Sequence, residues 1–175
     1  MKIIAITGEK RTGKSSLINN IFVELNKKSL NIDGFLSLPV IVNDKHNGFD
    51  LFQIKPNLTI PLARVGIESS IQTANFGFYV DAFDYQHKII NSEKKLNTIL
   101  LLDEIGILEL RDLGWHSLVL DIRSKAYKSV ILVIRKNAFF EITKKYNLKY
   151  DFIVDLDTTD ISLDMLSQRI INFLI

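Results

Sequence analysis

Residue types that often build catalytic or structural sites are scarce in this 175-residue sequence. It contains no cysteine, so disulfide frameworks, thiolate nucleophiles and cysteine-based zinc sites are excluded. Its three histidines, His46, His87 and His116, are far apart along the chain, as is typical of surface or boundary positions rather than of metal ligands. No cysteine or histidine pattern therefore indicates a nucleophile or a metal centre.

Strong net charge and long apolar runs are also lacking. The 22 lysines and arginines nearly balance 20 acidic residues, and a net charge of +2 creates no strong field toward nucleic acid or a membrane surface. The apolar run at residues 3–6 is too short for a secretory signal and is soon interrupted by Glu9-Lys10-Arg11, and no run reaches membrane-spanning length. We expect a cytoplasmic monomer with neither a membrane nor a nucleic acid as its partner.

The length and the order of segments indicate one α/β domain. A chain of 175 residues that is 47% hydrophobic can bury one core, and no linker, repeat or low-complexity segment divides it, so residues 1–175 are assigned to a single domain. Apolar, strand-like runs alternate with segments of helical periodicity. This alternation predicts a three-layer α/β sandwich around a mostly parallel sheet.

The first half of the sequence predicts a strand, a helix and a β-rich insertion. Its expected elements are a strand at residues 3–6, a helix at 16–30, a hairpin of strands 34–42 and 49–54 joined by a turn at 43–48, and an extended piece bracketed by Pro56 and Pro61. Because proline is confined to the edges of sheets, residues 32–65 are predicted to form an insertion at one edge of the main sheet.

The second half of the sequence continues the alternation. Its expected elements are a short strand at 78–80, a helix at 82–93, a strand at 98–102, a helix at 113–125, a strand at 130–134, a helix at 139–146, a strand at 152–154 and a helix at 163–173. Asp81 is expected to cap the helix that follows it, and Trp115 to anchor its helix in the core. The run at 98–102 is continuously apolar, as in a central strand buried on both faces.

Residues 8–15, Gly8-Glu9-Lys10-Arg11-Thr12-Gly13-Lys14-Ser15, fit the P-loop pattern of two glycines spaced by four residues and followed by Lys and Ser. The predicted strand before this loop and helix after it supply the required context. Since Gly8 and Gly13 carry no side chain, the backbone N–H groups of residues 9–15 can converge on a phosphate, toward which the helix also points its positive end. The sequence therefore predicts a nucleotide-phosphate site.

The residues of this loop have different expected roles. Lys14 is expected to reach the β- and γ-phosphates, and the Ser15 hydroxyl to bind Mg²⁺, which prefers oxygen ligands. Lys10 and Arg11 lie at the outer turn, where either a phosphate contact or plain solvation fits a charged side chain. Ser16, at the border of the phosphate site, is expected mainly to help the helix begin.

A pair of acids follows the central apolar strand. In a sheet of this kind ligands lie outside the carboxyl ends of the strands, where Asp103-Glu104 and the P-loop would meet. Asp103 is the expected Walker B residue, which holds Mg²⁺ directly or through water. Since side chains alternate along a strand, Glu104 points elsewhere and is expected to orient or deprotonate the water that attacks the γ-phosphate. This arrangement predicts hydrolysis of a nucleoside triphosphate.

Arg135 follows the strand at 130–134, at the same end of the predicted sheet. Its guanidinium is a candidate for sensing the γ-phosphate or neutralising charge in the transition state. An ordinary strand-end arginine is the alternative interpretation.

Other functions of a P-loop protein stay open at this point. Asp103-Glu104-Ile105-Gly106 also fits the Asp-x-x-Gly pattern of signalling GTPases, but their guanine-binding Asn-Lys-x-Asp is missing, since Arg135-Lys136-Asn137 follows the later strand. A nucleotide or small-molecule kinase usually carries an arginine-rich lid, and the sequence has no such segment. A nucleotide-switched binding module is the non-enzymatic alternative.

The chain resembles the cancer-related nucleoside-triphosphatase family of P-loop proteins, which is also common in thermophilic prokaryotes. The resemblance rests on the P-loop at the N-terminus and on Leu102-Asp103-Glu104-Ile105-Gly106 followed by Glu109-Leu110. Supporting segments are Gly34-Phe35, Gly48-Phe49-Asp50-Leu51, Gly77-Phe78-Tyr79-Val80, Ala82-Phe83 and Val133-Ile134-Arg135. Together they span most of the chain in family order.

The resemblance implies a RecA-like P-loop domain that hydrolyses ATP, GTP and other nucleoside triphosphates slowly, with Mg²⁺ and broad base preference. By position, residues 8–15 look like the phosphate-binding loop, Asp103 like the Mg²⁺-associated acid and Glu104 like the catalytic acid. Some positions differ from the family pattern: Ile107 stands where lysine is usual, Asn75 and Phe78 where basic residues are common, and Leu38-Pro39-Val40 where charged residues are usual.

Overall fold

Eight β-strands and six α-helices make up the described part of the chain, residues 1–91, 96–124 and 127–175, in a computed structural model. The strands are β1 (Lys2–Thr7), β2 (Ile32–Val42), β3 (Lys45–Gln53), β4 (Leu58–Arg64), β5 (Gly77–Phe78), β6 (Ile99–Ile105), β7 (Ser129–Ile134) and β8 (Phe152–Asp155). The helices are α1 (Lys14–Lys27), α2 (Tyr85–Ile90), α3 (Ile107–Leu110), α4 (His116–Ser124), α5 (Phe139–Lys145) and α6 (Leu163–Leu174). Short 3₁₀ turns lie at Val80–Asp84 and Lys136–Ala138.

All eight strands join one sheet in the order β5-β4-β3-β2-β6-β7-β1-β8. The last five strands of this order, β2, β6, β7, β1 and β8, pair in parallel. In register, Ile4 of β1 lies opposite Ile131 of β7 on one side and Phe152 of β8 on the other. The pairs β2–β3, β3–β4 and β4–β5 are antiparallel. The prediction of a mostly parallel sheet in an α/β fold is confirmed.

Helices cover both faces of this sheet. Successive side chains of a strand point to opposite faces, and β1 accordingly contributes Ile3 and Ala5 to one buried core and Ile4 and Ile6 to the other. Helices α1 and α6 pack over the second core, whereas α2, α4 and α5 contribute to the first. The three predicted layers follow from this division. Among the helices of the described ranges, none is long and apolar enough to cross a membrane.

The predicted β-rich edge is present, but its boundary differs. The first residues of β2, Ile32 to Phe35, pair in parallel with β6 and so belong to the central sheet. The rest of β2 forms the predicted hairpin with β3, and β4 and β5 extend the edge. The turn is only Asn43 and Asp44, both with positive φ (49° and 57°), which matches the twist of the strands it joins.

Three predicted details of local structure were wrong. Pro61 lies inside β4, opposite Asp50, where the register of the pair shifts, and an irregular site of this kind tolerates a missing N–H. Asp81 does not cap a helix, because it lies within the 3₁₀ turn that precedes the six-residue α2. Helix α1 begins at Lys14 and ends at Lys27, two to three residues earlier than expected at both ends.

The central strand and the segment after it also differ from the prediction. Strand β6 continues to Ile105, so both acids lie within it, and the short helix α3 was not predicted. Trp115 is buried and its ring stacks on that of Phe35 at 4.0 Å, as expected of a core anchor. The predicted helix ends at residues 93 and 125 lie outside the described ranges.

The site lies at a switch in the direction of the strand connections. Helix α1 follows β1 on one face of the sheet, whereas α5 follows the neighbouring β7 on the other. Between two such strands a crevice opens at their carboxyl ends, and ligands of open α/β sheets bind there. The P-loop follows β1 and Arg135 follows β7, so both border this crevice.

Candidate active site

The P-loop adopts a backbone that depends on its glycines. Gly8 and Gly13 have φ values of +147° and +96°, which side chains rarely allow. A Cβ atom at Gly8 would lie 2.8 Å from Thr12 Oγ1, and one at Gly13 would lie 3.1 Å from Leu163 of α6. The loop therefore has no room for larger residues at the two positions that the motif specifies.

One backbone amide of this loop already has a partner in the free protein. Helix α1 has no acidic residue in its first turn, so the positive end of its dipole is not neutralised locally. The N–H of Glu9 donates to both carboxylate oxygens of Asp157, at 3.0 and 3.1 Å. The Glu9 amide thus anchors the loop to the segment after β8, and phosphate binding by the amides of residues 9–15 stays a prediction.

The ammonium group of Lys14 lies inside the loop. Only 9% of the residue is exposed, and Nζ donates to the carbonyl oxygen of Gly8 at 2.7 Å and to that of Glu9. Burial lowers the pKa of Lys14, while the negative charges of Glu104, Asp157 and Asp103 partly oppose this shift. Lys14 thus lies within electrostatic reach of the acids on β6, as the sequence predicted.

Asp103 is completely buried. Its Oδ2 accepts a hydrogen bond from the backbone N–H of Ser37 on β2 at 3.0 Å, and its Oδ1 has no partner among the described residues. Burial raises the pKa of Asp103, the neighbouring Glu104 charge raises it further, and the Lys14 charge opposes both. A buried carboxylate oxygen without a partner is costly unless a cation or a donor binds to it.

Glu104 lies at an irregularity in its strand. Its φ is +65°, and the pairing of β6 with β7 shifts register between Leu102 and Ile105. The Glu104 carboxylate accepts a hydrogen bond from Arg135 Nε at 2.7 Å, and both side chains are partly exposed. The structure therefore brings Arg135 to the site, where it pairs with the second acid.

Known proteins share this sequence pattern and this fold. A profile of the NTPase family matches residues 3–170. The chain is 30% identical to the nucleoside-triphosphatase THEP1 of Sulfolobus acidocaldarius over 116 residues, which are 66% of this chain and 67% of that protein. The chain belongs to the NTPase family. This membership confirms the predicted class of enzyme, a hydrolase of nucleoside triphosphates.

Two solved structures have the same fold as this NTPase. The solution structure of a human cancer-related nucleoside triphosphatase matches 99% of this chain and 97% of its own, with a TM-score of 0.75 and 20% identity. The crystal structure of THEP1 from the hyperthermophile Aquifex aeolicus matches 98% of both chains, with a TM-score of 0.71 and 19% identity. These matches confirm the P-loop NTPase fold. The cytoplasmic location and the monomeric state stay predictions.

The remaining P-loop side chains of this NTPase differ in exposure. Thr12 Oγ1 donates to the carbonyl oxygen of Glu9 at 3.0 Å and so stabilises the turn. Lys10, Arg11 and Ser16 are exposed, whereas Ser15 is half-buried in the first turn of α1. The exposed positions of Lys10 and Arg11 fit both alternatives of the sequence analysis, solvated side chains and contacts with a bound phosphate.

Two acids and a lysine next to the loop were missed by the sequence analysis. Asp157 holds the Glu9 amide, and Lys136 forms ion pairs with Asp155 and, at 3.2 Å, with Asp157. Hydrogen bonding to Asp155 is the main cause that raises the pKa of Lys136. Asp155 is the last residue of β8, just as Asp103 lies near the end of β6. Because ligands lie at the carboxyl ends of parallel strands, the same rule that selected Asp103 would have selected Asp155.

The residues at the site fit Mg²⁺ better than a metal held by protein ligands alone. No group of three or more histidine, aspartate or glutamate residues that could enclose a metal occurs in the described ranges. The available donors are the Ser15 hydroxyl and the unpartnered Oδ1 of Asp103, both hard oxygen atoms. Mg²⁺ typically binds through one or two such ligands together with substrate phosphates and water.

A further buried carboxylate, Glu109, organises the segment that follows β6. It is 1% exposed and accepts hydrogen bonds from the backbone N–H groups of Gly106, at 2.7 Å, and Trp115, at 2.9 Å. Burial raises the pKa of Glu109 to about 7 although both hydrogen bonds oppose this shift. Glu109 thus holds together the two ends of the segment from Gly106 to Trp115, which follows β6.

Proposed function

We propose that this NTPase hydrolyses the terminal phosphate of nucleoside triphosphates in a Mg²⁺-dependent reaction with low base selectivity, at the crevice between the P-loop and the acids of β6. The observation that carries the proposal is the position of Lys14. Its ammonium lies within the loop and interacts electrostatically with Asp103 and Glu104, which supports a single site for the phosphates and the two acids.

In the proposed complex, backbone N–H groups of residues 10–15 bind the β-phosphate at the start of α1. Lys14 leaves the carbonyl oxygens of Gly8 and Glu9 and binds the β- and γ-phosphate oxygens, exchanging two neutral acceptors for charged ones. Ser15 and Asp103 would hold Mg²⁺, which neutralises charge on the phosphate oxygens when it is bound. Asp103 is already held in place for this role by the Ser37 amide.

The second acid, Glu104, acts on the attacking water. As the water oxygen bonds to the γ-phosphorus, the bond from this phosphorus to the β,γ-bridging oxygen breaks, and its electron pair leaves with the diphosphate. The proton released by the water passes to the Glu104 carboxylate. Arg135, which holds Glu104 at 2.7 Å, orients this carboxylate and supplies positive charge near the γ-phosphate.

Low base selectivity is supported by what surrounds the crevice. The guanine-binding Asn-Lys-x-Asp motif of signalling GTPases is missing from the sequence. The residues after β7, Arg135 and Lys136, are engaged by Glu104 and by Asp155 and Asp157 instead. Substrate binding therefore depends mainly on contacts with the phosphates, which are common to all nucleoside triphosphates.

The test is phosphate release from ATP, GTP, CTP and UTP by the purified protein, measured with malachite green, in Mg²⁺ and in EDTA. We expect release with nucleotide and Mg²⁺ alone, kcat/KM values within roughly tenfold of each other, a spread of about 1.4 kcal/mol, and loss of release in EDTA. A requirement for a second small-molecule substrate would indicate a kinase. A requirement for a macromolecular partner would indicate a nucleotide switch.

A further inference from the structure

A small cavity lies beside Glu104 and Arg135, which both contribute to its wall. Its other walls include four aromatic side chains, those of Phe49, Phe78, Phe83 and Trp115, together with aliphatic ones. The cavity volume is about 30 Å³. A pocket for an organic ligand typically measures several hundred Å³, whereas one ordered water needs roughly 10–15 Å³ measured in this way. The cavity therefore has the size for one or two waters and not for a second substrate.

A water in such a place needs polar partners, and Ser37 offers a buried hydroxyl. Ser37 lines the cavity and is 3% exposed, and its Oγ has no hydrogen-bond partner among the described residues. Among the other polar residues of the wall, both Glu109 oxygens accept backbone N–H groups and Arg135 Nε donates to Glu104, whereas Thr73 is only half-buried. A buried hydroxyl without a partner is costly, which favours a water at this position.

Ser37 is also held in place by the proposed metal-binding acid. Its backbone N–H donates to Asp103 Oδ2 at 3.0 Å, so the Ser37 backbone is attached to Asp103 while its side chain contributes to the Glu104 cavity. The Ser37 backbone is thus fixed relative to Asp103, and Ser37 and Glu104 share one cavity. Replacing the side chain leaves the backbone hydrogen bond to Asp103 intact.

We propose that Ser37 Oγ is the second protein ligand of the attacking water, and that Glu104 and Ser37 together hold this water in the cavity. One water hydrogen is donated to Glu104, which takes the proton during the reaction, and the other is donated to Ser37 Oγ. A lone pair of the water oxygen then faces the γ-phosphate. This assignment rests on the proposed hydrolytic function and adds to it the residue that orients the nucleophile.

The first test compares Ser37→Ala with the parent in steady-state phosphate release and in nucleotide binding. Loss of one hydrogen bond to the water is expected to lower kcat by roughly 3- to 10-fold, with KM and the nucleotide Kd unchanged within twofold. Ser37→Thr keeps the hydroxyl and is expected to restore at least half of the parental kcat. A Ser37→Ala protein with parental kcat, or with impaired folding or nucleotide binding, would overturn the proposal.

The chain offers two matched controls. Ser129, at the start of β7, and Ser167, in α6, are also buried serines whose Oγ has no partner among the described residues, and neither lines this cavity. Ser129→Ala and Ser167→Ala are expected to leave kcat unchanged. An equal fall in kcat for all three alanine variants would mean that removing any buried hydroxyl disturbs the enzyme, and would refute a specific role for Ser37.

A double-mutant comparison separates this inference from the proposed function. If both residues hold one water, Ser37→Ala is expected to cause no further loss in a Glu104→Gln background, where proton transfer is already abolished. Multiplicative losses would assign the residues to separate steps and overturn the Ser37 proposal alone. If Glu104→Gln itself retained parental kcat, the proposed function would fail first.

Discussion

At the scale of single residues, Lys14 is subject to two opposing effects. Its burial in the loop disfavours the charged ammonium, while the carboxylates of Glu104, Asp157 and Asp103 favour it. The two carbonyl oxygens that it contacts satisfy the ammonium in the free protein. A triphosphate supplies charged acceptors at the same place, so the charge of Lys14 contributes more in the complex than in the free enzyme.

Replacing Lys14 tests this directly. Lys14→Ala is expected to raise the Kd for a nucleoside triphosphate at least about tenfold, since a hydrogen bond to a charged group contributes about 1.5–3 kcal/mol. Lys27, exposed at the other end of α1, gives the control, and Lys27→Ala is expected to bind as the parent does. Isothermal titration calorimetry measures both constants. Parental affinity in Lys14→Ala would remove this residue from the phosphate site.

The site residues that could be predicted from the sequence are those that belong to a motif with fixed spacing along the chain. The two glycines and Lys14 of the P-loop are close in sequence, so their arrangement follows from the motif and from the strand and helix on either side. Asp157 was missed because it meets Glu9 from 148 residues away, and only the pairing of β8 beside β1 brings it there. The Arg135–Glu104 contact likewise depends on the neighbouring positions of β6 and β7.

At the scale of elements, the segment from Gly106 to Trp115 connects the acids to the core. Glu109 holds both ends through backbone N–H groups, and Gly114 lies directly beside it. A Cβ atom at Gly114 would lie 2.5 Å from Glu109 Oε1 and 3.0 Å from Leu108 Cβ. Two features therefore favour glycine at position 114: the close approach of the Glu109 side chain and the positive φ of 63°.

Gly114→Ala is expected to destabilise the protein by about 2–3 kcal/mol, because it adds a steric conflict with a buried hydrogen-bonded carboxylate to the cost of a positive φ. Gly66 is the matched control, since its φ is +76° but a Cβ there meets no atom within 4 Å. Gly66→Ala is expected to cost only about 1 kcal/mol. Urea unfolding followed by the fluorescence of Trp115, the single tryptophan, measures both free energies. Equal losses would contradict the packing argument.

The elements that the sequence analysis missed were set by tertiary contacts. Helix α3 has only four residues, too few to show a helical period, and its first turn is held by Glu109 bonding back to Gly106. The hairpin turn was predicted too long because residues 45–48 contain typical turn formers, although they pair with β2 in the sheet. Pairing across the sheet overrides local preference in both cases.

At the scale of the whole molecule, the alternation of strands and helices predicted the layers, but not the order of the strands. The order places β7 between β1 and β6, which brings Arg135 into the crevice between the P-loop and the acids. Strand order is not encoded in local periodicity, because it depends on which buried faces pack together. The same packing buries Glu109 and so links its ionisation to global stability.

The stability of the protein is expected to fall with rising pH through the ionisation of Glu109. Its pKa is about 7 in the folded state against an ordinary value of 4.5, so the folded state retains a proton that the unfolded state has lost. This contribution is full below the ordinary value and is lost as the pH rises through about 7. Between pH 4.5 and 8 the free energy of unfolding of the parent should fall by up to about 3 kcal/mol relative to that of Glu109→Gln.

Urea unfolding at several pH values measures this difference. Subtracting the free energy of unfolding of Glu109→Gln removes the contributions of all other titrating groups, which the two proteins share. Glu141→Gln, an exposed position in α5, provides the control and is expected to follow the parent at each pH. A difference that stays constant from pH 4.5 to 8 would show that Glu109 does not hold its proton in the folded state.

The central claim is that one crevice presents the γ-phosphate on the P-loop to a water activated by Glu104. The most direct measurement is the single-turnover rate of phosphate release by Glu104→Gln, with the nucleotide Kd measured on the same protein. We predict an unchanged Kd and a rate lowered by roughly 10²- to 10⁴-fold, the usual contribution of a general base. A Glu104→Gln protein that binds nucleotide normally and releases phosphate at the parental rate would contradict the account.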